Sequence, residues 1–445
     1  MFVPHTVEDR EAMLQAIGVK RMEDLFQDVP AQYRFPQLDL PPALTEMEAL
    51  QELREIASVN ETTQDLVCFL GAGAYNHYVP AAVDSILRRG EFYTAYTPYQ
   101  AEVSQGTLQF IFEFQTMIAA LTGLPVANAS MYDGASALAE AALMAVRITK
   151  RQRILYASTF HPRWKETLKT YLSGSGTELM EIPAVNGVMD LSALSNLLDN
   201  RVAALLIQHP NFYGYLERVD ELKNLLAGRG ILWVHAADPV SLAVLSTPGE
   251  LGADIAVGEV QSLGLPLSFG GPYAGYFACR EEYVRQMPGR IVGRTQDVEG
   301  RTGYVLTLQT REQHIRREKS TSNICTNQSL CALAATIYLA LLGPHGLCEV
   351  AEQNHAKAVY LHEQLIAIPR VKAISDHPFF NEFTLELPIS AEDFAYKMKE
   401  ESIIPGLADA QWTGAPNRIV VCVTEVFKKK ELDRVAEAYR RVLGC

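Results

Sequence analysis

A chain of 445 residues, 48% hydrophobic and 20% charged, can bury a full core, and its length predicts two or more domains. The net charge of −13 is dispersed in mixed blocks, with Lys428 to Lys430 as the longest like-charge run, so no basic stripe is available to track phosphates and no nucleic-acid partner is expected. The seven cysteines (Cys68, Cys279, Cys325, Cys331, Cys348, Cys422, Cys445) are odd in number and form no C-x-x-C pair, which predicts reduced thiols and no structural metal. Met1 to Arg10 carries Glu8, Asp9 and Arg10 with no apolar segment, and no run of eighteen apolar residues occurs. The expectation is a soluble, unprocessed, cytoplasmic protein with no membrane partner.

In chain order, residues 1–100 read as a helical arm. Thr45 and Glu48 predict a capping box ahead of Met47, Leu50, Leu53 and Ile56, which recur at helical spacing. Pro80 and Gly90 bracket a second helix that presents Val83, Ile86 and Leu87. The segments Phe69 to Tyr75 and Tyr93 to Gln100 are rich in Gly and Tyr, a composition suited to a packed surface loop or to an interface. From Ser104 the pattern changes. A helix lined by Leu108, Ile111, Phe112, Ile118 and Leu121 closes at Gly123, and Val126 to Met131 reads as the first buried strand. A helix at Ala137 to Val146 follows, then strand-like runs Ile154–Ala157, Leu179–Ile182, Ala203–Ile207, Ile231–Val234 and Ile255–Val257, most of them separated by helices. Such alternation predicts a mainly parallel sheet covered on both faces, over residues 101–325. Residues 326–445 read as long linking helices, interrupted at Gly343-Pro344, and a small C-terminal α/β domain with strands Phe383–Leu387 and Val420–Val423.

Met131-Tyr-Asp-Gly-Ala-Ser136 falls between the first strand and a helix, so Gly134, Ala135 and Ser136 would aim backbone N–H groups and one hydroxyl at an anion. A Gly-Ala-Ser turn is more often only a helix start. Together with what lies downstream, the arrangement resembles fold-type I pyridoxal-phosphate (PLP) enzymes, whose corresponding turn cradles the cofactor phosphate. The resemblance narrows over Phe69-Leu-Gly-Ala-Gly-Ala-Tyr-Asn-His-Tyr-Val-Pro80, Tyr96 to Gln109, Ala129-Ser-Met-Tyr-Asp-Gly134, Met287-Pro-Gly-Arg-Ile-Val-Gly293 and Arg311 to Thr326. These segments are similar to signatures of the glycine decarboxylase P-proteins of the glycine cleavage system, in particular to the N-terminal half of the long form, which many bacteria make as a separate first subunit. The resemblance implies a fold-type I PLP-dependent transferase fold and a part in decarboxylating PLP-bound glycine, with the aminomethyl group passing to the lipoyl arm of H-protein.

The same resemblance implies that this chain does not carry the cofactor. Gln261 is followed by Pro266 and Gly270-Gly271-Pro272 at the spacing that follows the Schiff-base lysine in catalytic halves, and an amide cannot form an imine. Aligning the Ala236-Ala237 pair puts His235 at the position of the acid that holds the pyridine nitrogen, with Asp238 three residues on and pointing elsewhere unless the alignment slips by one turn. His161 falls where these enzymes stack an imidazole on the cofactor ring, and would be a relic or a residual anion ligand. PLP is then expected on a second subunit, in an α2β2 heterotetramer. This chain would lend Lys319, Thr321, Ser322 and Asn323 to the partner's PLP phosphate, from a polar loop before a helix starting near Thr326; a helix-capping turn is the plainer reading. Arg316 and Arg317 could be structural ion-pair formers. Tyr96, Tyr99 and Gln100 would line a passage for substrate or lipoyl arm, or else pack the arm against the partner. Two other readings stay open: a scaffold that stabilises the PLP-bearing subunit without lining its site, and a self-sufficient PLP transaminase or lyase using Lys150 or Lys319.

Overall fold

The computed structural model describes residues 4–63 and 65–444, so Cys445 and the start of the Met1 to Arg10 stretch lie outside the described residues. Residues up to Thr62 form one compact unit and residues from Thr63 onward another. The first contains the helices Val7–Ile17 and Glu46–Ala57, each opened by a reciprocal capping box, Thr6 with Asp9 and Thr45 with Glu48. Leu50, Leu53 and Ile56, which the spacing places on one side of the second helix, are exposed.

The division falls at Thr62 and not at residue 100. Residues 65–70 belong to the C-terminal core: Val67–Cys68 pairs in parallel with Ile403–Ile404, and Phe69 is fully buried and stacked on Phe427 with ring centroids 4.4 Å apart. Burying a side chain of that size contributes about 1.5–3 kcal/mol. A segment of mixed Gly and Tyr composition does not reveal that partner, because the pairing is made more than three hundred residues away in sequence.

The main sheet has seven strands: β1 (Val126–Ala127), β2 (Arg153–Ala157), β3 (Glu178–Ile182), β4 (Val202–Gln208), β5 (Leu232–Ala236), β6 (Ile255–Glu259) and β7 (Gly275–Cys279), in the spatial order 3-2-4-5-6-7-1. All neighbouring pairs are parallel except those made by β7, which runs antiparallel to both β6 and β1. The central strands are buried almost throughout, which is why they read as unbroken apolar runs. The expected strand from Val126 to Met131 is shorter, since only Val126 and Ala127 pair in the ladder and Met131 makes one isolated bridge to Gly275. One sheet face is covered by the alanine-rich Gly134–Thr149 helix, whose small side chains bring it close to Leu206, Val234 and Val257. The other face packs Phe114, Ile118, Ala335 and Tyr338 against Ala256 and Tyr276.

The linking helix starts at Ser329, three residues after the expected Thr326, and runs to Ile366 with a break at Gly343, whose φ of 59° is outside the helical range. Its apolar window, of mean hydropathy 1.6, is long enough to span a bilayer by composition, but half of that window is buried within the protein, as for a core helix. A three-stranded antiparallel sheet, Lys372–Ala373, Glu382–Glu386 and Arg418–Cys422, completes the C-terminal region with the strongly amphipathic Lys429–Leu443 helix packed on it. A hairpin of Ile291–Gln296 with Thr302–Thr307, which the residue pattern does not predict, leads into the polar segment Leu308–Gln328.

Candidate functional site

Parallel α/β sheets place ligands beyond the carboxyl ends of their strands. There, β6 ends at Glu259, the Gly134–Thr149 helix begins, and His161, Asp238 and Gln261 line one cavity with Tyr75, Trp164 and Glu382. That cavity measures only ≈ 30 Å³, room for about one water molecule.

The chain's own groups fill the rest. Gln261 is buried; its Oε1 accepts the Tyr75 N–H at 2.7 Å, and its Nε2 donates to the carbonyls of Tyr75 and Leu265, both at 2.9 Å. The amide is therefore bound in both directions to backbone and anchors the Leu70–Asn76 loop across the site. Glu382 fixes the same loop from the C-terminal region, with Oε1 accepting the Ala72 N–H at 2.6 Å and Oε2 accepting the Tyr75 hydroxyl at 2.8 Å. His161, 8% exposed, sets Nε2 at 2.8 Å from the Ala72 carbonyl, and a Cβ on Gly73 would fall 2.8 Å from its ring. The loop closes on the Nε2–Cδ2 edge of the imidazole. Burial lowers the His161 pKa to about 4, so it stays a neutral ring.

The phosphate cradle expected at Gly134, Ala135 and Ser136 is occupied in the same way. Glu259 puts Oε2 at 3.0 Å from the Gly134 N–H, and its Oε1 accepts from Val260 at 3.1 Å and Ala274 at 3.0 Å, so an internal carboxyl holds the anion position. Burial raises Glu259 to about 8. The Trp164 ring covers the helix start, where a Cβ at Gly134 would meet it at 2.4 Å. Ser136 does not present a free hydroxyl: its Oγ donates to the Asp133 carbonyl and accepts the Asp133 N–H while Asp133 Oδ1 accepts the Ser136 N–H, a capping box that turns the side chain back on the helix.

His235 is not the acid-position residue at this cavity. It is fully buried inside β5, neither ring nitrogen has a hydrogen-bond partner, and its neighbours are Trp233 and His209. Asp238 lines the cavity instead, with Oδ1 accepting the Ser262 hydroxyl at 2.6 Å and burial raising its pKa. The chain leaves the strand after Ala236, so the residue at the sheet's carboxyl edge is the one beyond the Ala-Ala pair. No lysine lines this cavity among the described residues. Lys150 caps the far end of the 16-residue Gly134–Thr149 helix, about 24 Å along its axis from Gly134, and Lys319 is exposed on the polar loop. The residues present do not fit PLP: there is neither an amine for it nor the space.

A second region is open. Tyr96 and Gln100, both exposed, line a ≈ 520 Å³ cleft with Glu91, Ser104 and Thr107, and Tyr99 joins it to a ≈ 380 Å³ cleft walled by Glu312, His314, Arg317, Ile324 and Cys325. Lys319 ends a short turn at Arg317–Lys319 and is exposed, as is Asn323. Thr321 is half-buried, and its N–H donates to the Arg311 carbonyl at 3.1 Å. Ser322 is also half-buried, its Oγ accepting the Ile324 N–H at 3.1 Å and lying by the buried Glu140 carboxyl, so Lys319 and Asn323 are the exposed members of the four. Arg316 and Arg317 are exposed and have no ion pair among the described residues, so the expected structural pairing is not made. No pattern in the sequence marks Glu382 or Trp164 as site residues, and Arg290 is noted only as part of the Met287–Gly293 motif. Glu259, a lone acid ending an apolar strand, is the one signal that could have pointed to the site.

Comparison with known proteins follows the same lines. The family model described as the glycine cleavage system P-protein matches residues 1–439. A protein of Desulforamulus reducens named probable glycine dehydrogenase (decarboxylating) subunit 1 is 49% identical, over 98% of each chain, and one of the same name from Moorella thermoacetica is 50% identical over 100% of each. Among solved structures, a glycine decarboxylase (P-protein) of the glycine cleavage system, in inhibitor-bound form, is similar over 100% of both chains with a TM-score of 0.92 and 45% identity. A sphingosine-1-phosphate lyase of Burkholderia pseudomallei, at 17% identity and a TM-score of 0.63 over 94% of each chain, shares the fold alone.

Proposed function

The chain belongs to the glycine cleavage system P-protein family, and from that premise we propose that it is the cofactor-free subunit of a glycine dehydrogenase (decarboxylating), completing the active site of a second, PLP-bearing subunit. The observation that carries the reading is Gln261, whose amide is tied to Tyr75 and Leu265 in a site with room for about one water. Bound to the partner, PLP supplies the electron sink that glycine decarboxylation requires. This chain's part is positional. Lys319 offers a mobile cation, and Thr321 and Asn323 offer neutral donors, to a phosphate at the interface. Tyr96 and Tyr99 give a passage an apolar wall with polar tips, suited to glycine and to the lipoyl arm of H-protein. The reading takes the assembly to be a cytoplasmic α2β2 heterotetramer.

The test uses the assembled complex with Lys319→Ala and Thr321→Ala. Removing a charge-assisted hydrogen bond to a buried phosphate costs about 1.5–3 kcal/mol, so PLP should dissociate about tenfold to a hundredfold more readily, and glycine-dependent carbon dioxide exchange should fall with it. The mass of the complex should not change. If both variants keep cofactor affinity and exchange rate in an intact tetramer, the chain is a scaffold instead.

A further inference from the structure

We propose that Arg290 is a positioning residue for the reaction: one buried guanidinium that clamps the Tyr96–Gln100 loop and the Lys319–Thr326 loop in a fixed relation, so that both reach the partner's site together. The inference rests on the reading that these two loops face that site.

Arg290 is 4% exposed. Its Nη2 donates to the Tyr99 hydroxyl at 3.0 Å and to the Cys325 carbonyl at 2.6 Å, and its Nη1 donates to the Thr326 hydroxyl at 3.2 Å. The guanidinium also lies 5.3 Å from the centre of the Tyr99 ring, and its Nε stands 3.4 Å from Glu312 Oε2. One side chain thus touches both loops and the acid at the floor of the cleft between them, a geometry that needs a planar fork and not a point charge.

The clamp has a rigid base. The Arg290 carbonyl accepts the Ala129 N–H at 2.9 Å, and Asn128 Nδ2 donates to the Pro288 carbonyl at 3.0 Å. Arg311, also buried, donates to the carbonyls of Met287 and Gly289 on either side of Pro288. The Met287–Arg290 turn is therefore fastened to the sheet, while the groups it holds stand in segments with little burial of their own: Tyr99 is 49% exposed, and Cys325 and Thr326 are exposed. Displacing catalytic or positioning groups by about an ångström can lower a rate about a hundredfold, so a clamp remote from the reacting atoms can set it.

The experiment compares the assembled complex carrying Arg290→Lys or Thr326→Val with the unaltered complex. Rates are taken per bound PLP, and hydrogen exchange is followed at both loops. Lysine keeps the charge but cannot fork, so kcat per bound PLP should fall about tenfold with the KM for glycine within about twofold. Amides of residues 96–100 and 319–326 should lose protection together, with the rest of the chain unchanged. Thr326→Val, which removes one of three acceptors and leaves the guanidinium in place, should show the same pattern in smaller degree. Unchanged protection at both loops in Arg290→Lys overturns the clamp and leaves the reading of the loops untouched. Both loops loosening with no change in rate shows instead that they do not serve the partner's site, and Arg290 loses its role in the reaction with them.

Discussion

Two regions of this protein carry polar groups at places where the fold binds ligands, and they use them in opposite ways. At the carboxyl edge of the sheet, Gln261, Glu259, Glu382 and His161 each hold the chain's own backbone. Along the Tyr96–Gln100 and Arg311–Thr326 segments, Tyr96, Lys319 and Asn323 face solvent beside clefts of ≈ 380 and ≈ 520 Å³. A buried polar group left without a partner within the molecule costs about 1–3 kcal/mol, whereas an exposed one remains available to another molecule. The polar groups at the sheet edge are thus satisfied from within, and the exposed ones are those available for an intermolecular role.

The largest effect expected of this contrast is at Gln261. Changing it to Lys supplies an amine but leaves the buried Tyr75 N–H without its acceptor and brings a cation into a cavity lined by Asp238, Glu259 and Glu382; an unmet buried donor costs about 1–3 kcal/mol and desolvating the cation several kcal/mol more, offset in part by those carboxyls. We expect no borohydride-stable adduct with PLP, from either the unaltered chain or Gln261→Lys, and a marked drop in the denaturant midpoint of the variant. An adduct on this polypeptide would mean that the Leu70–Asn76 loop yields the site readily, and the contrast would be broken.

Next is the pH dependence. Burial raises Glu382 to about 7 from an ordinary 4.5. Between those values the unfolded chain has released a proton that the folded chain keeps, so this carboxyl's contribution to stability should fall as pH rises through that window and level off above it, while Glu259 acts in the same direction and His161 in the opposite one. The full change is on the order of 3 kcal/mol. Glu382→Gln should remove this contribution, so the stability difference between the two proteins should change across the window; a difference that is independent of pH in unfolding midpoints would mean that the carboxyl is ionised throughout.

The smallest effect is steric. Gly134→Ala would put a Cβ 2.4 Å from the Trp164 ring and 3.1 Å from the Glu259 nitrogen, and overpacking of that kind costs about 1–3 kcal/mol. Lys319→Ala, on the open face, should stay within about 0.5 kcal/mol of the unaltered chain in the same melting experiment. Equal losses at the two positions would erase the distinction between a filled and an open region.

Sequence by itself determined the architecture. The apolar runs of β2, β4, β5 and β6 are continuous because both faces of the sheet are covered, and that burial is written directly into residue type. The Thr45 capping box and the break at Gly343 were equally legible, since each is a local consequence of side-chain chemistry or backbone freedom. That residue 261 is an amide, which cannot form an imine, is likewise a statement about one residue's chemistry. Only the tertiary structure decided what fills the space left behind. Gln261 meets Tyr75 across 186 residues, Glu382 meets Ala72 across 310, and Glu259 reaches Gly134 across 125. None of these partners is marked by periodicity or spacing, because a hydrogen bond to a backbone amide carries no signature in the residue that supplies the amide. The same reason hid the boundary at Thr62, the place of Asp238 in the cavity ahead of His235, and the inward turn of Ser136.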